Sequence, residues 1–490
     1  MVLALAVALV GAFVMPVAAL ENEFGGYWRT RAVTQQNFTG EDQTEARDNS
    51  FVDTRTRLYY TAKINSDLKF VNKFEFNTLW GDTVGGDIGA DGMGNFRIKH
   101  SYADFTLAPV NFKVGMQEAT VGRGFMFSDD FAGLAVTFKG EGFAVPFLWM
   151  KTYEGMRGYD ANKGDFDFYA LAPSFSANEM IKISPFFLWA TSDNASKWKP
   201  TLHAPNNSSA ATAAQNNMLA DELDTRITTT TPSMVANNPD VVTKSSTAPS
   251  AALGAFEKVN VYYLGLDIDA KFDMGNVWFT GIYQLGKGDL LKATKNYTSV
   301  DFQAYLAAVG GKADMGMADI HGQFLYASGD DAKDEKIEAF FVPSQNDGTG
   351  QSYFWAEILG YGIFDTDGVG GWAYNTSTNS PGDKISNIMA INLGTTYKPM
   401  KELSVTLDVW YAKLAKGIPM DVAGKDAKGN TIYNYEDCLG TEVDLVLTYE
   451  LVKGLKMDLV GAYLFAGDAT YKGNNNANPY EIGTRLSLSF

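Results

Sequence analysis

The chain has 490 residues, with 40 Lys and Arg against 57 Asp and Glu, and a formal charge of −17. That balance excludes nucleic acid as a principal partner, because phosphates need a basic face. Its single cysteine, Cys438, excludes an internal disulfide, a Cys-x-x-Cys metal site and a covalent haem attachment.

Residues 1–20 read as an export signal, since "LALAVALVGAFVMPVAA" is apolar, is broken by Pro16 and ends in small Ala18 and Ala19 before the polar "ENEF". Cleavage is expected near Ala19 or Leu20; no Lys or Arg precedes the apolar stretch, which leaves a truncated or misassigned start, or a membrane anchor, as the alternatives. Beyond it no apolar run of about 18 residues exists, so no membrane helix is available, whereas alternation hides a barrel from any window average. The 24 Tyr, 32 Phe and 9 Trp beside 48 Gly suit a chain of strands and turns.

Alternating segments recur to the end of the chain. The first nine are expected at 24–33, 53–65, 67–80, 96–108, 110–118, 131–138, 142–151, 165–177 and 179–191. The remaining nine are expected at 259–273, 275–286, 299–313, 315–327, 384–399, 401–415, 437–451, 453–467 and 479–490. Every second connection is short: "NSD", "PVN", "KGEG", "ANE", "DMGN", "ADMG", "KPMKE" and "LVKG" carry the Gly, Asn, Asp and Pro that hairpin turns require. The others are long. This sorting predicts an all-β fold, a closed transmembrane antiparallel β-barrel of about 18 strands over 21–490, with short periplasmic turns and long extracellular loops. The longest loops are 192–258 and 328–383. In residues 201–250, 29 of 50 are Ala, Ser, Thr or Asn, too little apolar area to fold alone.

The two strand faces differ. In "LKMDLVGAYLF" Leu455, Met457, Leu459, Tyr463 and Phe465 share one face, with Lys456 and Asp458 on the other. A charged second face predicts a wet lumen and a greasy outer surface. Aromatic clusters near strand ends, such as "FFLWATSD" and "YLFAGDATY", predict interfacial girdles. Seven of the ten arginines precede residue 124. Alternation places Arg29, Arg31, Arg55, Arg57, Lys69, Lys73 and Arg485 on one basic pore wall, and Asp267, Asp269, Asp319, Asp408, Glu442, Asp444 and Asp458 on an acidic wall across the pore. Opposed walls would set up a transverse field. The third long loop, 119–131, is the expected constriction, with Gly122 and Gly124 turning the backbone and Asp129 and Asp130 facing Arg123 or the basic wall.

No cofactor and no resident metal are expected. Asp330, Asp331, Asp334 and Glu335 are oxygen donors for Ca²⁺ or Mg²⁺ bridging lipopolysaccharide, and equally a solvated charge run. Catalysis lacks a base with a nucleophile: the histidines are His100, His203 and His321, and no serine motif accompanies them.

The sequence resembles bacterial outer-membrane porins, specifically the alginate-export type of 18-stranded barrel. The resemblance rests on "RTRLYYTAKI" (55–64), "LKFVNKFEF" (68–76), "SYADFTL" (101–107), "VNFKVGMQEATVGRGF" (110–125), "FLYASGDD" (324–331) and "NPYEIGTRLSLSF" (478–490). It departs from the type at Met116, where relatives carry Arg beside the Gln of the fifth strand. The resemblance implies residence in the bacterial outer membrane among lipids and lipopolysaccharide, and recognition of the strand ending at Phe490 by the outer-membrane assembly machinery. The first functional reading is a passive channel for small polar or charged solutes. A substrate-specific channel for an anionic saccharide or polysaccharide, and a sleeve around a multihaem cytochrome, stand beside it.

Overall fold

The computed structural model describes residues 20–38, 49–83, 85–88, 95–154, 165–193, 256–290, 299–330, 336–342, 353, 355–364, 385–425, 431–469 and 478–490. Residues 1–19 of the expected export signal, most of loop 192–258 with His203, and Asp331, Asp334 and Glu335 lie outside them.

Alternation at period two becomes strand from end to end. The strands are β1 (Glu21–Gln36), β2 (Asn49–Asn65), β3 (Leu68–Leu79), β4 (Asn95–Leu107), β5 (Val110–Val121), β6 (Phe127–Gly140), β7 (Phe143–Tyr153), β8 (Phe166–Leu171), β9 (Ser174–Ser176) and β10 (Ile181–Ser192). They continue as β11 (Phe256–Phe272), β12 (Gly275–Leu290), β13 (Ser299–Asp314), β14 (Ala318–Ala327), β15 (Lys336–Ile337), β16 (Ile388–Met400), β17 (Leu403–Lys425), β18 (Thr431–Val452), β19 (Leu455–Ala466) and β20 (Tyr480–Ser489). Pro173, which has no N–H to give to a ladder, separates β8 from β9; both pair with β7 and β10 as one interrupted barrel strand. β15 is a two-residue parallel addition to β13, inside a long connection. Eighteen barrel strands remain, each antiparallel to the next, and β20 returns to β1 with Arg31 opposite Arg485. Phe490 adds a further rung, because its N–H and C=O exchange bonds with Gly26. Every expected strand is present, and the closed all-β barrel stands as read from the sequence.

Its outer surface is that of a membrane-spanning barrel. On β19 Leu459, Tyr463 and Phe465 are exposed, while Asp458, Val460, Ala462 and Leu464 point inward and are buried. Trp149, Tyr169, Trp189 and Tyr262 stand opposite one another on successive strands at the long-loop end. Phe138, Phe175, Phe272 and Tyr449 are exposed at the short-turn end. On β11, Tyr262 and Phe272 are ten residues apart. At about 3.4 Å per residue and a tilt of about 40°, that is a rise of roughly 26 Å, the height of an apolar band between two aromatic girdles.

The lumen differs from the expectation of a uniformly wet interior. In their long-loop halves β7 to β14 are largely apolar on the inner face, so Leu148, Met150, Phe168, Leu188, Val261, Tyr263, Leu306 and Leu325 form a buried core inside the barrel. Chain from the connection between β14 and β16 fills it. Tyr263 donates from its hydroxyl to the Phe341 carbonyl at 2.6 Å, and the Phe341 N–H donates to Gln284 Oε1 at 3.0 Å. The 328–383 connection, expected outside the barrel, therefore sends two described segments into it. Residues with apolar neighbours on both sides find less water inside than a charged face would hold, and burying them there removes them from it.

Candidate functional site: a partitioned lumen

The first element of the partition is the tip of the β5–β6 hairpin. Gly115 opposes Gly133 in register, and a Cβ on either would stand 2.3 Å or less from a carbonyl oxygen of the neighbouring strand. Only glycine fits there. Beyond the pair, the tip Gly122–Met126 turns through Gly122 (φ +60°), Arg123 (φ +55°) and Gly124 (φ +88°), which glycine tolerates and Arg123 adopts only because its side chain is held. Arg123 Nη2 donates to Asp269 Oδ1 at 2.8 Å, and its guanidinium lies 4.7 Å from the centre of the Trp278 ring. Thr280 accepts from Arg123 Nε at 3.3 Å and donates to Asp267 at 2.6 Å. The tip has thus crossed from β5 and β6 to β11 and β12. The expected constriction is present as a strand hairpin with a five-residue tip rather than as a loop. Its arginine meets the acidic wall, not Asp129 or Asp130. Those two turn to β4, where Asp130 meets Lys99 and His100 Nε2 (2.9 Å) and Asp129 lies 3.9 Å from Lys99.

The second element is a strap, 355–364, with Tyr353 just before it. Tyr353 stacks on Phe125 of the hairpin tip at 3.9 Å between ring centres, and Trp355 meets Trp410 of β17 edge-on at 5.0 Å. On β18, Glu442 accepts from the N–H groups of Ile358 (2.6 Å) and Leu359 (3.0 Å), and Asp444 from that of Glu357 (3.3 Å). Consecutive N–H groups converging on carboxylates form an anion nest, here filled from the barrel wall. At its far end Arg485 donates to the Ile363 carbonyl at 2.6 Å and Arg31 to that of Phe364. Phe364 is fully buried with Val33 and Val460 and sits above Gly483, where a Cβ would lie 2.7 Å from its ring. Hairpin tip and strap together cross the lumen from β5 and β6 to β20 and β1. One side holds the apolar core.

The other side is bounded by β1 to β5, and there inward groups stay in contact with water: Tyr59 is 36% exposed, and the side chains of Lys69 and Glu118 are 45% and 66% exposed. The seven basic residues do share this wall and β20, with Arg29 opposite Arg55 and Arg31 opposite Arg485 in register. It is not a bare positive surface. Arg31 makes a two-pronged pair with Asp53 (2.7 and 2.9 Å), Arg57 bonds Glu75 at 2.7 Å, with Arg55 at 3.7 Å from the same carboxylate, and Arg485 bonds Asp458 at 2.8 Å. Lys69 pairs with Asp104 and Lys73 with Glu118. Asp53 and Glu75 were legible, since Asp53 alternates in phase with Arg55 and Arg57 on β2 and Glu75 with Lys69 and Lys73 on β3. Guanidinium groups crowded at this density recruit carboxylates from adjacent strands because unpaired neighbours repel.

The acidic wall is corrected more deeply. Asp458 belongs to the basic side through Arg485. Asp267 and Asp269 hold the hairpin tip, and Glu442 and Asp444 hold the strap. Asp319 and Asp408 clasp His321, whose Nδ1 and Nε2 lie 2.8 and 3.0 Å from them; the second contact passes over Gly394, where a Cβ would lie 2.1 Å from Asp408 Oδ1. Carboxylates take the nearest donors, so of the seven acids expected to face the arginines across open water four are consumed by the partition, two by His321 and one by Arg485. His100, Glu118 and Asp130 also converge, and Lys73 and Lys99 neutralise the carboxylates of that group.

No protein-family profile matches the sequence, and no curated protein sequence does. The fold, however, is that of solved structures. It is similar to OccAB1 of Acinetobacter baumannii, at a TM-score of 0.52 and 10% identity over 96% of each chain. OccAB4 of the same organism gives 0.50 and 10%, over 97% of this chain and 100% of that one. The outer membrane protein opdK of Pseudomonas aeruginosa gives 0.50 and 10%, over 96% and 98%. At such identities the likeness is one of fold: a closed antiparallel β-barrel, which in this chain has 18 strands.

Proposed function

We propose that the chain is an outer-membrane porin through which small polar or charged solutes cross passively, along the side of the lumen bounded by β1 to β5. One observation carries the reading. On that side the hairpin tip and strap leave charged groups in contact with water, Lys69 at 45% and Glu118 at 66% side-chain exposure, whereas the long-loop half of the opposite side is filled by the apolar core and the exposed Asp269 and Lys312 there lie toward the short turns. A channel of this kind needs no cofactor and assigns no reaction to the chain. The likeness to outer-membrane barrels supports the location, with lipid and lipopolysaccharide around the girdles and the C-terminal strand as the contact for the assembly machinery. The excess of arginine near the passage favours anions.

The finer resemblance to the alginate-export type rests on the quoted motifs, and a polyanion would have to thread beside a strap that leaves only part of the cross-section. A cytochrome sleeve is disfavoured for the same reason, since the chain's own residues occupy the place of the partner. Purified protein in a planar bilayer is expected to give ohmic single-channel currents with no energy source, and reversal potentials under a KCl gradient on the anion-preferring side. A bilayer that stays sealed at high incorporation would sink the porin reading.

A further inference from the structure

Three carboxyl groups meet where the strap crosses to β18. Glu357 is 8% exposed, Asp444 3% and Glu442 not at all. Among the described residues, none of the three has a Lys or Arg nitrogen within 4.0 Å. Arg31 and Arg485 are engaged with Asp53 and Asp458 and with strap carbonyls. Both oxygens of Glu442 accept strap N–H groups, Glu357 Oε2 accepts the Ile363 N–H at 2.9 Å, and Asp444 Oδ1 is buried with no hydrogen-bond partner. Three buried carboxyl groups without a cation repel one another and are poorly solvated when charged, so the closed arrangement favours Glu357 in its protonated form.

We propose that the strap is a proton-controlled gate, latched to β18 while Glu357, packed against Glu442 and Asp444, keeps its proton, and released to widen the passage as that proton is lost. The proposal rests on the channel reading and adds its regulation. Glu357 faces Glu442 and Asp444 of β18 and Glu481 and Arg485 of β20, with Arg31 of β1 at the end of the strap. Burial first, then Asp444, pushes the Glu357 carboxyl up to about 8, against an ordinary 4.5. The sign follows. A released, hydrated Glu357 ionises near 4.5 while the latched one resists to about 8, so the latch is whole at pH below 4.5, weakens as pH rises through that window, and weakens no further above it. One proton changes the ratio of released to latched strap about tenfold per pH unit inside the window.

Single-channel recordings at pH 5.5 and 7.5 test it with three proteins: the wild type, Glu357→Gln, and a barrel whose residues 355–364 are replaced by glycine and serine. Glutamine keeps the acceptor for the Ile363 N–H and cannot ionise. The wild type is expected to spend far more time in a high-conductance state at pH 7.5, Glu357→Gln to stay in the low state at both, and the strap-replaced barrel to conduct equally at both. His100 and His321 are retained in all three, so their titration cannot imitate the difference. A wild type that responds to pH no more than the strap-replaced barrel overturns the gate, as does a Glu357→Gln channel with the wild-type response. No current from the strap-replaced barrel at either pH would instead refute the porin reading.

Discussion

Replacing residues 355–364 by a glycine and serine linker of equal length raises the single-channel conductance at pH 5.5 roughly threefold, because the resistance of a narrow pore is set by its tightest cross-section. In the proposed passage the strap, with the hairpin tip, is the bounding element. It is held at one end by Glu442 and Asp444 of β18 and at the other by Arg485 of β20 and Arg31 of β1, and it carries side chains as large as Trp355, Tyr361 and Phe364 into the lumen. None of these contacts belongs to the strand ladder. The barrel is therefore expected to remain closed by circular dichroism, with the hairpin tip losing only its Tyr353 stack if that residue moves with the strap. An unchanged conductance in a folded variant would mean that the strap does not bound the passage.

The double substitution Arg55→Gln with Arg57→Gln shifts the reversal potential toward cations, by roughly a twofold change in permeability ratio at low salt and less at high salt. The screening length of about 8 Å at physiological salt is comparable with a narrow pore, so fixed charge on its wall is felt by passing ions. The pair is not simply two water-facing charges. Both guanidiniums lie within 4.0 Å of Glu75, whose side chain is 2% exposed, and their removal leaves that carboxylate buried without an ion-pair partner. Adding Glu75→Gln restores the balance: the double variant removes two positive charges, the triple a net one. The triple is expected to show about half the shift and to recover stability lost by the double. Equal selectivity in wild type and double variant at every ionic strength would remove these arginines from the conduction path.

How much of this was legible before the fold was known follows from what period-two patterns encode. Strand existence, the sorting of turns by length and the outward Leu459, Tyr463 and Phe465 are local, and they stood. The basic residues also share a wall, because parity within β1, β2, β3 and β20 survives closure. What alternation does not encode is what enters the barrel. "YFWAEILGYGIF" reads as an aromatic stretch in a surface connection, yet Ala356, Ile358 and Leu359 are fully buried against β18. A hint was present: "FFLWA" in β10 and "AYLAAV" in β13 are apolar without alternation, the pattern of strands covered on both faces. Something had to cover the inner one. The partners of Glu442 and Asp444 depend on that same unseen strap and those of Asp267 and Asp269 on the hairpin tip, so the acids that a transverse field needs unpaired are already engaged.

The central claim is that the passage runs along one side of a divided lumen, and thiol accessibility tests it most directly. In a Cys438→Ser background, Tyr59→Cys places a thiol on the open side, and Ala308→Cys, 1% exposed on the inner face of β13, places one on the filled side. A membrane-impermeant charged thiosulfonate added during single-channel recording is expected to cut the current through the Tyr59→Cys channel by roughly half or more and to leave the Ala308→Cys channel unchanged. Rapid block at Ala308→Cys with none at Tyr59→Cys would contradict the account, because ions would then be crossing where the structure places a packed core.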